Sequence, residues 1–200
     1  MKKTLAIIST LSLALVACTG SKNTPAIETY SFTPVTISAT DAPVKNTVLR
    51  ITPAAITPQF SNYSFIYRIS DTQYLVDPYR QFLTAPSIEI TSYLKSQLAP
   101  SLNSTLISTD SLMSAQFILQ ENITEFYADY QHKSAPEAVI SVQFILYHCE
   151  NGVTKQAGTL TLSEKTRIEP NNPTSLLKGY QSDLDKMTKE LSSFINKHLN

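Results

Sequence analysis

The feature that most constrains the fold of this chain is a pair of alternating apolar and polar runs joined by a tight turn. In the first run, Ala138–His148, every second residue is strongly apolar: Ile140, Val142, Phe144 and Leu146. Asn151-Gly152 follows, a pair that favours two-residue hairpin turns, and the alternation resumes over Gly158–Ile168. A period of two is typical of a strand with one buried face. With the preceding run Gln116–Tyr127, these segments predict an antiparallel meander.

A regular apolar stripe near the C-terminus predicts a long amphipathic helix. Its apolar residues recur at spacings of three and four: Leu177, Tyr180, Leu184, Met187, Leu191 and Phe194. That spacing places them on one helix face, and Pro173 and Thr174 stand where the helix is expected to begin. We expect the stripe to pack on the sheet. A coiled coil would need a longer heptad series to be argued.

The first half of the chain carries weaker patterns that complete a mixed architecture. Val48–Thr52 is a short candidate strand, and Phe65–Ile69 with Tyr74–Val76 predicts a hairpin that ends at Asp77-Pro78. A helix is predicted over Ser87–Ala99, because a proline precedes it and apolar residues recur four positions apart. We therefore expect an α/β fold in which a mixed, largely antiparallel sheet packs against two main helices as a sandwich.

The composition argues against nucleic-acid binding, metal binding and catalysis. The 200-residue chain has 16 basic and 16 acidic residues, so no basic surplus is available to bind phosphates. Its four glycines form no phosphate-binding loop, and its three histidines lie far apart. Glu121 and Glu125 are predicted to lie on one solvated strand face roughly 13 Å apart, too far for paired acid catalysis. We expect a protein that is not an enzyme, with no catalytic residue, cofactor or metal.

The N-terminus carries the pattern of a secretory signal. Two lysines precede an apolar run, residues 5–16, that is too short to span a bilayer. The tetrapeptide Leu15–Cys18 resembles the lipobox of bacterial lipoproteins. This resemblance implies cleavage between Ala17 and Cys18, loss of residues 1–17, and acylation of Cys18 as the membrane anchor. The alternatives are an ordinary secreted protein with a chance cysteine, or an uncleaved anchor.

The organisation of the mature chain follows from that anchor. Residues 18–47 are predicted to form a flexible tether, because prolines interrupt short polar stretches, and residues 48–200 form one domain. A short strand at Tyr30–Phe32 within the tether stays open as an alternative. By the same resemblance, Thr19 in place of an aspartate points to the inner leaflet of the outer membrane, with the domain facing the periplasm. With Cys18 acylated, Cys149 has no disulfide partner and is expected to be a buried, inert thiol.

A longer resemblance covers about residues 48–198. It starts with Val48-Leu49-Arg50-Ile51, continues with Phe65-Ile66-Tyr67-Arg68 and Tyr74, and reaches Tyr79-Arg80-Gln81-Phe82-Leu83-Thr84-Ala85-Pro86 before the first predicted helix. In order and spacing these residues resemble the ABC-type transport auxiliary lipoprotein family, the PqiC-like group. Two positions depart from the family pattern. Phe82 stands where a tryptophan is usual, and the last helix is rich in Leu, Lys and Ser rather than Ala.

The resemblance implies both a fold and a role. The fold is an α/β sandwich, and the role is that of an auxiliary subunit beside MCE-type lipid transport. The implied partners are an MCE-domain protein and ABC transporter components, whose bridge across the periplasm this subunit would dock or assemble at the outer membrane. Ring-forming partners would also be compatible with a homo-oligomer. Two other functions stay open: a lipid-binding module with an apolar cavity, and a scaffold for outer-membrane assembly.

The aromatic hairpin is the predicted partner surface. Its residues lie in or beside one hairpin and its exit loop: Tyr67, Arg68, Tyr74, Tyr79 and Phe82. Tyrosine and arginine are frequent anchors of protein interfaces. The alternative is that Tyr67 and Phe82 are core aromatics that fix the hairpin to the helix. Arg68 and Tyr67 are neighbours on one strand, so they are predicted to face opposite sides.

Overall fold

The computed structural model describes residues 26–33 and 46–199. The predicted signal peptide and the predicted cleavage and lipidation sites at Ala17 and Cys18 lie outside these ranges. The described strands are β1 (Glu28–Tyr30), β2 (Val48–Ile51), β3 (Ala55–Ile56), β4 (Ser64–Arg68), β5 (Tyr74–Phe82), β6 (Thr105–Ile107), β7 (Phe117–Asp129), β8 (Glu137–Glu150) and β9 (Val153–Arg167). The described α-helices are α1 (Pro86–Leu98) and α2 (Pro173–Leu199), and a 3-10 turn covers Pro58–Phe60.

A single mixed sheet is organised around the long strand β7. One edge of β7 pairs antiparallel with β8, and β8 pairs antiparallel with β9. The other edge pairs in parallel with β2, β3 and β4 in succession. β4 pairs antiparallel with β5, β5 in parallel with β1, and β2 in parallel with β6. The predicted meander and the predicted α/β class with a mixed, largely antiparallel sheet are confirmed.

The turn between β8 and β9 has the backbone that its sequence favours. Asn151 and Gly152 have φ values of 50° and 76°, as a two-residue turn matched to strand twist requires. β9 begins directly after this turn at Val153, five residues before the predicted start at Gly158. The early residues of β9 are exposed and show no alternation, because this end of the outer strand covers no core. A period of two in the sequence therefore indicates a strand with one buried face, and a stretch of strand that is exposed on both faces does not show it.

Both helices cover the same face of the sheet, and the core lies between them and the sheet. On α1, Thr91 donates a hydrogen bond to Glu121 of β7, and Tyr93 donates one to Asp185 of α2 at 2.8 Å. The predicted stripe of α2 is buried from Leu177 to Leu191 against β8 and β9. Within the described part of the chain, neither helix is long and apolar enough to cross a bilayer.

α2 approaches the sheet closely because Gly179 has no side chain. A Cβ atom at this position would lie 2.8 Å from both Ala138 Cβ and Ile168 Cγ2. Contacts that short do not occur between carbon atoms, so only glycine fits unless the helix or the sheet shifts.

The folded part begins earlier than the sequence patterns indicate. Residues 26–33, predicted to belong to the tether, contribute β1 to the sheet edge. Phe32 is buried and packs edge-on against Phe82 and Tyr93, 6.1 and 5.6 Å away between ring centroids. The alternative of a short strand at Tyr30–Phe32 within the tether is thus close to the structure, in which β1 ends at Tyr30.

Cys149 is half-buried beside Thr154, rather than buried as expected.

Candidate partner-binding surface

Exposed apolar side chains gather at one corner of the sheet, around β1 and β5. Eleven large apolar residues among those described are exposed. Six of them lie on or next to β1 and β5, and we call this set the sheet corner: Ile27, Tyr74, Leu75, Val76, Tyr79 and Leu83. Single exposed apolar residues are common on soluble proteins, whereas a cluster marks an interaction surface. The sheet corner is therefore the candidate site of this fold.

Tyr67 supports the corner from the helix-covered face of β4. Its ring stands edge-on to Tyr130 at 5.5 Å, and its hydroxyl donates a 2.7 Å hydrogen bond to Asp77 Oδ2. Burial and this carboxylate both raise the pKa of Tyr67 well above its ordinary value. The phenol therefore stays protonated and acts as a fixed donor. Tyr67 is half-buried, and its remaining exposed part lines the cavity described below.

Asp77 is the residue that shapes this surface, although the sequence patterns gave it no role beyond ending a strand. Its side chain is 8% exposed, and besides the Tyr67 hydroxyl it accepts backbone N–H groups from Tyr79 at 2.8 Å and Arg80 at 3.0 Å. An aspartate that binds N–H groups two and three residues ahead turns the chain locally. This turn carries β5 past Pro78 to Phe82, so the predicted strand end at Asp77-Pro78 is wrong.

Arg80 completes the polar part of the surface. Its Nη1 lies 3.7 Å from Asp77 Oδ2, and its Nε lies 3.7 Å from Glu28 Oε2 on β1. The side chain is 36% exposed. The two ion pairs therefore hold Arg80 beside the sheet corner, although both distances are longer than a hydrogen bond. The strand alternation alone gives no reason to select Arg80, since its partners Asp77 and Glu28 meet only in the folded sheet.

Arg68 faces the opposite side of the sheet from Tyr67, as the alternation predicts. Its guanidinium lies 3.1 Å from Asp71 and 3.5 Å from Asp129, with Cζ 5.9 Å from the centroid of the Tyr127 ring. The side chain is 22% exposed. These contacts connect the β4–β5 hairpin to β7. They also occupy most of the Arg68 guanidinium, so little of it is left to bind a partner.

The other predicted residues divide between surface and core. Tyr74 and Tyr79 are 38% and 45% exposed and belong to the sheet corner. Phe82 is 2% exposed and packs against Phe65 and Phe126, with centroid distances of 4.8 and 5.4 Å. Its assignment to a partner surface is corrected, because a buried ring cannot contact a partner. The alternative, a core aromatic that fixes the hairpin, holds for Phe82.

A cavity of about 180 Å³ lies between the β4–β5 hairpin and the start of α2, and we call it the hairpin cavity. Its apolar walls are Tyr67, Ile69, Leu75, Tyr130, Pro173 and Leu176. Arg80, Asn171 and Asn172 add polar groups. Tyr67, Leu75 and Arg80 also line a more open groove that runs along β5 past Val76 and Tyr79 to Glu28. The cavity is thus continuous with the part of the sheet corner formed by Leu75, Val76 and Tyr79.

The two glutamates of β7 do not share a solvated face. The β7–β8 register shifts between Ile123 and Glu125, so Glu121 and Glu125 point to opposite sides. Glu121 is fully buried against α1, where it accepts a 2.7 Å hydrogen bond from Thr91, and burial raises its pKa to about 7. Glu125 accepts hydrogen bonds from Tyr127 and Ser141 on the other face. Among the described residues no cluster of three metal-ligating side chains occurs.

Sequence comparisons return neither a matching family model nor a similar curated protein. Solved structures do share the fold. A DUF330 protein from Xanthomonas campestris is 14% identical with a TM-score of 0.69, covering 86% of this chain and 96% of its own.

Two further structures show the same architecture. An uncharacterised protein is 15% identical with a TM-score of 0.66, covering 85% of this chain and 99% of its own. A hypothetical protein from Chlamydia trachomatis is 11% identical with a TM-score of 0.51, covering 74% and 97%. At these identities the likeness shows a common fold and nothing further.

Proposed function

We propose that this protein is a lipid-anchored auxiliary subunit of an MCE-type ABC transport system. Anchored through Cys18 to the outer membrane and facing the periplasm, it docks or assembles the bridge that carries lipid between the two membranes. The lipobox pattern, the order and spacing of the hairpin residues, and the fold held in common with a DUF330 protein support this proposal.

The sheet corner is the observation that carries a docking role. Leu75 and Val76 are 48% and 54% exposed on neighbouring positions of β5, and Tyr79 follows on the same strand. Leaving these side chains in water costs free energy that a partner would recover by covering them. Tyrosine beside apolar residues is also the composition typical of interface anchors.

Affinity recovery from cross-linked membranes tests the proposal. The full lipidated chain is compared with Leu75→Ser/Val76→Ser, and the partners are identified by mass spectrometry. Leu112→Ser/Met113→Ser is the matched control, because it removes two exposed apolar residues outside the sheet corner. We expect an MCE-domain protein with the wild type and the control, and its loss with the corner variant.

Other outcomes of that experiment would point elsewhere. Recovery of outer-membrane assembly factors without an MCE-domain protein would contradict the proposal and favour a scaffold. Equal recovery with the corner variant would contradict the assignment of the interface to the sheet corner.

The lipid-binding alternative needs more enclosed space than the hairpin cavity offers. Small-molecule sites enclose roughly 300–1,000 Å³, and the hairpin cavity has about 180 Å³. The adjoining groove along β5 has a further volume of about 440 Å³, but it is more open to solvent and encloses less of a ligand. The hairpin cavity itself suits one side chain of a partner better than a whole lipid. A lipid that stays bound during purification of the delipidated domain would favour the alternative.

A further inference from the structure

We infer that the partner of the sheet corner binds through an apolar or aromatic side chain that enters the hairpin cavity and is flanked in its own sequence by lysine or arginine. This inference rests on the proposed docking function and adds the chemistry of the segment that docks. Three features of the described residues lead to it: the size and lining of the cavity, the balance of exposed charge at its rim, and the pairing of β5.

The hairpin cavity has the dimensions and lining of an anchor pocket. Its volume of about 180 Å³ is that of one large side chain, and its walls include two tyrosine rings and Leu75. Leu176 closes the back of the cavity and is 3% exposed, whereas Leu75 at the mouth is 48% exposed. A single buried anchor in such a pocket typically supplies much of the energy of an interface.

The most exposed charge along the groove beside the cavity is acidic. Glu28 on β1 lines this groove, and its side chain is 59% exposed. Arg80, which lines both the cavity and the groove, is 36% exposed and is already paired with the carboxylates of Asp77 and Glu28. An incoming chain therefore meets carboxylates first, and a basic residue beside the anchor complements them.

β5 leaves room for an extended segment beside the cavity. β1 pairs with β5 only over Arg80–Phe82, so the Tyr74–Asp77 part of β5 is paired only with β4 within the described ranges. Exposed strand edges are sites where a partner chain adds a strand through backbone hydrogen bonds. Only a short segment fits, because Pro78 has no N–H to donate.

Short peptides measured by NMR test the inference on the full chain. The first nine-residue probe carries Lys-Phe-Lys at its centre, the second Glu-Phe-Glu and the third Lys-Ser-Lys, with Gly/Ser flanks. Up to millimolar concentration we expect the first to shift resonances of Ile69, Leu75 and Leu176. The second should bind about fivefold more weakly, the size expected for losing one exposed ion pair, and the third should leave these resonances unchanged.

Two variants distinguish the proposed recognition of charge and anchor side chain from nonspecific hydrophobic binding. Glu28→Lys changes an exposed residue of the groove and should reverse the preference, so that the Glu-Phe-Glu peptide binds about fivefold more tightly than the Lys-Phe-Lys peptide. Leu75→Ala should weaken the Lys-Phe-Lys peptide, and Leu112→Ala, which removes a side chain that is exposed elsewhere, should not.

Three results would overturn the inference. The first is the absence of any shift at the cavity, and the second is equal binding of Lys-Phe-Lys and Glu-Phe-Glu. The third is concentration-dependent broadening of the corner resonances without peptide, which would assign the surface to a second copy of this chain. If such a result appeared while an MCE-domain protein was still recovered from membranes, the docking function would stand without this recognition chemistry.

Discussion

At the scale of single residues, Asp77 connects the side chains and backbone groups that shape the sheet corner. One buried carboxylate receives the Tyr67 hydroxyl, two backbone N–H groups and the Arg80 guanidinium. These contacts bend β5 and bring the exposed Tyr79 beside Leu75 and Val76. A buried carboxylate with several donors is costly to alter, because each donor left without an acceptor loses its hydrogen bond to water as well.

Replacing Asp77 should therefore damage both stability and the surface. We expect Asp77→Ala to lower the free energy of unfolding by about 2–3 kcal/mol, since it leaves several donors unsatisfied. Asp77→Asn keeps one acceptor oxygen and should cost about half as much. Urea unfolding followed by circular dichroism measures both. Equal stability of the two variants and the wild type would contradict the role given to Asp77.

Glu121 predicts a pH dependence of stability. Its pKa in the folded protein is about 7, against 4.5 for the free side chain, because it is fully buried and the hydrogen bond from Thr91 offsets only part of the cost of burying its charge. Folding therefore favours the protonated acid. The associated stability is fully present below pH 4.5 and is lost as the pH rises through about 7.

A comparison with Glu121→Gln measures that effect. The wild type should lose about 3 kcal/mol of stability relative to Glu121→Gln between pH 4.5 and pH 7.5. Gln120→Ala, at the neighbouring position of β7, removes no titratable group and is the control that should keep the wild-type slope over this range. A slope that stayed unchanged in Glu121→Gln would show that Glu121 does not titrate in this range.

At the scale of elements, the sequence patterns predicted the strands and helices whose buried residues recur at a regular spacing. The alternation of β8 and the stripe of α2 each report one continuous buried face, and the turn at Asn151-Gly152 follows from local backbone preference. The misses arise where the burial is irregular or where a contact forms only in the folded chain. The register shift in β7 turns Glu125 to the opposite face from Glu121, and no local sequence pattern predicts this shift.

The close contact of α2 with the sheet gives a test at this scale. In an exposed helix, Gly→Ala gains about 1 kcal/mol of helix propensity. At Gly179 the added Cβ would meet two side chains at 2.8 Å, and we expect Gly179→Ala to cost a net 1–2 kcal/mol, roughly the penalty of overpacking. Thermal unfolding measures the change, with the exposed Lys189→Ala as the control. Stabilisation by Gly179→Ala would show that the helix and sheet can separate without cost.

At the scale of the whole molecule, one face of the sheet is covered by helices and one corner is left apolar and exposed. The fold class could be predicted because apolar periodicity decides which layers pack. The sheet corner could be predicted only in part. Tyr74 and Tyr79 are exposed as a surface role requires, Phe82 belongs to the core, and Asp77 and Arg80 become recognisable only when β1 and β5 come together.

The central claim is that the sheet corner docks an MCE-domain partner. Its most direct test places a photo-reactive amino acid at Leu75 in the lipidated full chain, with the same substitution at Leu112 as the control. Both positions are exposed, so neither substitution should disturb the core. After irradiation of intact cells, we predict a cross-link from position 75 to an MCE-domain protein and none from position 112. Equal cross-linking from the two positions, or no MCE-domain protein from position 75, would contradict it.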